Sequence, residues 1–182
     1  MSAATVTVDS IMALHPCRER SQVEALAQGR TEASALDLLR LPALGWADCL
    51  WVLRGAKLIP NPIWQLWAID CAKRALPLYE QRHPDDKRPR EALVAASAYL
   101  LGEITLDELR SKRAAAADAA AYAAFYAAAA ADDDAYYAAY AAYYAADYAA
   151  AAAAAAADAR QKERCWQREH LTQLVAQMGG AL

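Results

Sequence analysis

Three places in the chain bring together residue types that can do chemistry. His83 stands close to Asp85 and Asp86, a grouping that could hold a metal ion or pass a proton between carboxylate and imidazole. His15 is one proline away from Cys17, the pairing an activated thiol would use. Ser21 and Ser34 carry hydroxyls, but neither has the strand–turn–helix surroundings of a nucleophile elbow. Each place also has a structural reading. Asp85-Asp86 precedes a helix pattern and reads as its polar cap. Asp70 and Arg74, four apart, read as an ion pair along one helix face. His170 falls on a polar terminal helix. The chain has six glycines and no glycine-rich phosphate loop. The four cysteines, Cys17, Cys49, Cys71 and Cys165, are far apart and form no CxxC pair. They read as free thiols, mostly buried, with no zinc site. The expectation is a protein with no catalytic residues, no metal and no cofactor.

The elements that would carry these residues are helical nearly throughout. Thr7 caps a short helix, "VDSIMALH", which His15-Pro16 interrupts. "CRERSQVEALAQG" reads as a second helix closed by Gly29. Thr31 is expected to open "EASALDLLRL". "GWADCLWVLRGA" puts Trp46, Leu50 and Leu53 on one stripe, a core helix. After a turn at Pro60-Asn61-Pro62 comes "IWQLWAIDCAKRALPLYEQR", strongly amphipathic, which Pro77 should kink or split. "HPDDKRPR" is a polar link in which Asp86 caps a helix carrying Pro89 in its first turn. "REALVAASAYLL" stops at Gly102, and Thr105 with Glu108 forms a capping box. No stretch alternates with period two, so no sheet is expected. The fold class predicted is all-α: a helical bundle head over residues 1–113, continuing into a long alanine- and tyrosine-rich hairpin over 114–178.

That second part is unusual in composition. Residues 114–159 contain 31 alanines in 46 positions. Alanine is the best helix former because it loses no side-chain entropy. One helix from Thr105 to Gln177 would be roughly 110 Å long at 1.5 Å per residue. Asp132-Asp133-Asp134 is the natural break, since Asp competes for local backbone donors and caps a new helix. Two helices are therefore expected, about 105–131 and 135–177, folded back as an antiparallel hairpin, with a single long helix as the alternative. On a helical wheel all eight tyrosines of the region share an arc of roughly 140°. Tyr126, Tyr137 and Tyr148 are eleven residues apart, three helical turns. One face carries Tyr and Asp; the other is nearly pure alanine and lets helices approach closely. Tyrosine has an apolar body and a polar tip, so the stripe either covers the alanine seam or anchors a partner. The candidate partner-binding residues are Tyr126, Asp132, Asp133, Asp134, Tyr136, Tyr137, Tyr140, Tyr143, Tyr144, Asp147 and Tyr148.

Charge narrows the partners. Residues 1–113 hold 15 Lys/Arg and 14 Asp/Glu, a net of +1; residues 114–159 hold six Asp and no Lys or Arg, a net of −6. Residues 160–182 hold four Lys/Arg and two Glu, a net of +2. The acidic middle argues against direct nucleic acid and against an anionic membrane. Its charge density, one per roughly 5–10 Å against about 1.7 Å for duplex DNA, permits only partial acidic mimicry. No run of strongly apolar residues reads as a membrane span and no signal peptide is seen, so the expected location is the cytoplasm.

The stretch from Ile63 to Arg168 resembles the alanine-rich "putative immunity protein" family associated with bacterial polymorphic toxin systems. The pieces that carry the likeness are the "AIDCAKRALPLYE" helix, the "HPDDKRPREAL" link, the "GEITLDELR" capping segment and the aromatic-every-four alanine repeat. The resemblance implies an all-helical fold and a protein that neutralises a toxin by binding it. One departure is visible: such repeats use Trp with interspersed Arg, whereas these use Tyr and Asp, which would reverse the partner's charge preference. The head more loosely resembles N-terminal segments of small bacterial and phage proteins, which makes an inhibitor of a defence effector thinkable. The reading is a non-enzymatic, immunity-like inhibitor with a protein partner, a toxin or defence effector, acting as a monomer or homodimer. The rivals are a self-assembling structural helical module and a phage-encoded inhibitor of a nucleic-acid-processing defence complex.

Overall fold

Side-chain caps written into the sequence set where the elements begin. The computed structural model describes residues 4–118 and 157–179. Thr7 opens α1 (Val8–Met12) by accepting from the Ser10 amide at 3.2 Å, and Ser10 Oγ accepts from the Thr7 amide at 2.8 Å. Thr105 and Glu108 repeat the device at the start of α7 (Leu106–Asp118): the Thr105 amide donates to Glu108 Oε2 at 2.8 Å. The Thr7 cap and the Thr105–Glu108 box were expected from the sequence; the Ser10 half of the first box was not. The chain divides into two compact units, Met1–Pro60 with Arg168–Leu182, and Asn61–Gln167.

The first unit contains β1 (Thr5–Val6), α1, α2 (Arg20–Ala27), β2 (Ala33–Ser34), α3 (Ala35–Leu39) and α4 (Trp46–Gly55). The strands pair antiparallel, Thr5 opposite Ser34 and Val6 opposite Ala33. The expectation of no sheet is corrected here: two residues per strand are too few to print an alternating pattern. The third helix also starts later than Thr31. Ser34 caps it, with its amide donating to Asp37 Oδ2 at 2.8 Å and its hydroxyl accepting from the Asp37 amide. Asp37 three residues on completes a box that Thr31 lacks. The Ser34 hydroxyl also donates to Asp37 Oδ2 at 2.6 Å, and this bond, with the one from the Ser34 amide, holds the Asp37 carboxyl below its ordinary pKa. The second helix ends as expected, with Gln28 in the left-handed region (φ 53°) and Gly29 following at φ 78°. On α4, Cys49, Leu50, Val52 and Leu53 are buried, while Trp46 and Trp51 are only half-buried.

The second unit contains α5 (Asn61–Arg82), α6 (Arg88–Leu100), α7 and the first part of α8 (Ala157–Gly179). Eight of the nine buried positions of α5 come as adjacent pairs four apart: 63/64, 67/68, 71/72 and 75/76. That spacing makes one broad apolar face. Trp64 and Trp67 meet edge to face, ring centres 5.7 Å apart, and both are almost wholly buried. Each contributes on the order of 4–6 kcal/mol of apolar burial. Of the two effects expected of Pro77, a kink or a split, the split does not occur: α5 is one continuous helix through it. Pro77 has no amide to donate to the Lys73 carbonyl, and both residues are exposed, on the face of α5 away from its buried pairs. The N-cap of α6 is Lys87 and not the expected Asp86; Asp86, one residue earlier, accepts from the Arg88 amide at 3.1 Å, and Pro89 lies in the first turn. On α6, Ala92 and Ala96 are fully buried, and on α7 so are Leu109 and Ala116, seven residues apart. Small residues on both helices permit close approach.

Among the described residues the protein is all-α apart from the two short strands. The thiols depart from the reading: Cys49 and Cys71 are buried, but Cys17 and Cys165 are exposed. The centre of the expected alanine hairpin, including the Asp132–Asp134 break, lies outside the described residues.

Candidate functional site

All eleven candidate partner-binding residues, Tyr126, Asp132, Asp133, Asp134, Tyr136, Tyr137, Tyr140, Tyr143, Tyr144, Asp147 and Tyr148, lie outside the described residues. What the structure does describe is how the chain on either side is held. On the entering side, α7 packs along α6, and Lys112 Nζ reaches Glu91 Oε2 at 2.7 Å. On the leaving side, α8 is fastened to α5 by a clamp. Arg74 donates to the Glu163 carboxylate from Nε (3.1 Å to Oε2) and from Nη2 (3.0 Å to Oε2), with Nε also 3.3 Å from Oε1. Its guanidinium carbon sits 4.1 Å from the centre of the Trp166 ring, a cation–π arrangement. Trp67 Nε1 donates to the Gln167 carbonyl at 3.1 Å, which satisfies a buried indole N–H.

The clamp corrects the expected Asp70–Arg74 pair. Arg74 turns to Glu163, 89 residues away, and Lys73 is the cation near Asp70, at 4.0 Å. Glu163 is buried and would be costly without its partner. A pairing across that sequence distance leaves no local signal; the hint available was Glu163 and Trp166 three apart on an otherwise polar helix.

The His83 neighbourhood is a helix-end network. Tyr79 donates to Asp86 Oδ2 at 2.8 Å, Arg88 donates to the same carboxylate from Nε and Nη2, and the His83 ring lies 4.7 Å from that of Tyr79. The Arg88 hydrogen bonds hold the Asp86 carboxyl far below its usual range. Burial, and then the bond to Asp86, raises the Tyr79 hydroxyl. Nearby, Arg90 grips Glu80 with two contacts of 2.7 Å and lowers that carboxyl. The carboxylates are thus committed to arginines. Among the described residues no three His, Cys, Asp or Glu side chains come together to hold a metal ion. Burial pushes the Cys49 thiol up to about 11 and raises Cys71 as well, so neither is a ready nucleophile. No helix among the described residues is long and apolar enough to cross a membrane.

Among the described residues these features define a predominantly helical protein in which arginine clamps and aromatic contacts hold helices together. Residues 63–174 match the family model described as "Imm-5 like putative immunity protein", and the chain belongs to that family. The family's name implies a protein partner. No curated protein and no solved structure matched. The matched span runs from α5 into α8 and so encloses the Tyr/Asp-rich stretch together with both helices that anchor it.

Proposed function

We propose that the protein is a non-enzymatic immunity protein that neutralises a toxin by binding it through the Tyr/Asp-rich face of residues 122–148. The family match carries this reading, because it covers that stretch and its anchors in one span. The chemistry of the stretch supports it: tyrosine supplies large rigid contact area at low entropic cost, and the six Asp of residues 114–159 suit a basic surface on the partner. Asp86, Glu80 and Glu163 are held by arginines and the Cys49 and Cys71 thiols are buried, which agrees with a binding role. The test is co-expression with each candidate toxin whose gene is found to lie beside this protein's gene. The unaltered chain should restore growth. A Tyr137→Ala, Tyr140→Ala, Tyr144→Ala variant should keep its far-UV circular dichroism and lose both protection and co-purification. A variant that stays folded and still protects would remove the Tyr face from the mechanism.

A further inference from the structure

The α3–α4 connection ends in a cluster of main-chain carbonyls aimed at one point. Arg168, on α8, occupies that point. Its Nε donates to the Leu39 carbonyl at 2.8 Å, Nη1 to Leu44 at 3.2 Å, and Nη2 to Leu41 at 2.9 Å and Leu38 at 3.4 Å. The guanidinium carbon also lies 6.0 Å from the Trp46 ring centre. Four N–H groups of a planar fork thus meet four carbonyls that come from one short stretch. Leu38 and Leu39 close the last turn of α3, where helix-end carbonyls collect negative partial charge and a cation is favoured; the Leu38 carbonyl also accepts from the Leu41 amide at 3.3 Å. Cys49 sits against the same cluster: its Sγ is 3.6 Å from the Leu38 carbonyl, and the thiol is fully buried. One turn beyond Arg168 on α8, Leu171 is also fully buried.

We infer that these four carbonyls form a receptor for one planar guanidinium, that Arg168 fills it from within the chain, and that its occupancy latches the 38–49 segment closed over Cys49. The latch belongs to the first unit and is independent of the toxin-binding reading. An ammonium cannot replace the fork, since it presents three tetrahedral donors to a planar set of acceptors. Without an occupant the carbonyls keep their main-chain bonds where they have them, but the cluster loses what draws it together.

The test uses the full chain carrying Cys17→Ser and Cys165→Ser, so that the exposed thiols do not react first. Labelling of Cys49 by a thiol reagent under native conditions reports opening, with the labelled site read by mass spectrometry. Arg168→Ala should speed labelling by at least about tenfold, the change expected from losing a single charge-assisted hydrogen bond. Low-millimolar guanidinium chloride should slow it again, whereas sodium or ammonium chloride at equal concentration should not. Arg168→Lys should remain fast. Hydrogen exchange on the unaltered protein supplies a second arm: the amides of residues 39–49 should open together with those of 168–174. Unchanged labelling of the Arg168→Ala variant, equal rescue by ammonium, or separate openings in the exchange data would overturn the latch. A variant that unfolds outright and is not restored by guanidinium would overturn the receptor.

Discussion

Breaking the Arg74–Glu163 clamp from its two sides should give unequal results. Arg74 is 46% exposed and Glu163 only 7%. Arg74→Ala leaves a carboxylate stranded in a buried site, a change that costs about 3–5 kcal/mol when both partners are buried. Water reaches the arginine side, so about 2–3 kcal/mol is the better expectation after screening. Loss of the guanidinium over Trp166 adds about 0.5–1 kcal/mol. Glu163→Ala removes the buried charge itself and leaves an arginine that keeps its indole and half its hydration, so about 1 kcal/mol is expected. The two single changes should therefore differ by about 2 kcal/mol, and the double variant should show a coupling of about 1–2 kcal/mol. Urea unfolding at neutral pH, followed by tryptophan fluorescence and circular dichroism, measures all four corners. Equal losses from the two single changes, or a coupling below about 0.5 kcal/mol, would show that the carboxylate finds other partners or water, and the clamp argument would fall.

Three other outcomes follow from the same coordinates. Asp86 has its carboxyl held low by Arg88, so its contribution is present above the ordinary carboxylate range near pH 4 and disappears as pH falls through its lowered value. Stability should thus rise with pH on the acid side, and Asp86→Asn should flatten that slope in acid titrations of the melting temperature. Cys17 and Cys165 should react with a thiol reagent at once at pH 8, and Cys49 and Cys71 far more slowly, so a native count of four fast thiols would contradict the burial. Leu109→Ala, at a fully buried site, should cost about 2–5 kcal/mol, whereas Val94→Ala, 62% exposed, should change stability by less than about 0.5 kcal/mol in the same urea assay.

What the sequence made legible was local. The Thr7 cap, and the box of Thr105 with Glu108 three residues on, follow from backbone geometry alone. Gly102 and Gly29 stop helices because both take positive φ. Ser34 was as readable as Thr31 had Asp37 been weighed as its box partner. For Pro77 the choice between kink and split depends on which way the carbonyl left without a donor faces, which only packing decides. The arginine contacts were hidden for a different reason. Arg74 chooses an acid 89 residues off over the acid four residues before it, and Arg168 binds backbone oxygens, which have no residue type to read. The Tyr/Asp stripe is a sequence pattern whose supporting helices are now in place, and its role rests on the co-expression test.

The hold of α5 on α8 should keep those two helices together even where the chain between α7 and α8 is cut. Between Asp118 and Ala157 lie 38 residues that join α7 to α8 in sequence. A protease cut anywhere in that span would make two peptides, yet Arg74 would still grip Glu163 and the Trp67 indole would still reach the Gln167 carbonyl. The pieces should co-elute as a single particle, and separately expressed halves should find each other by complementation.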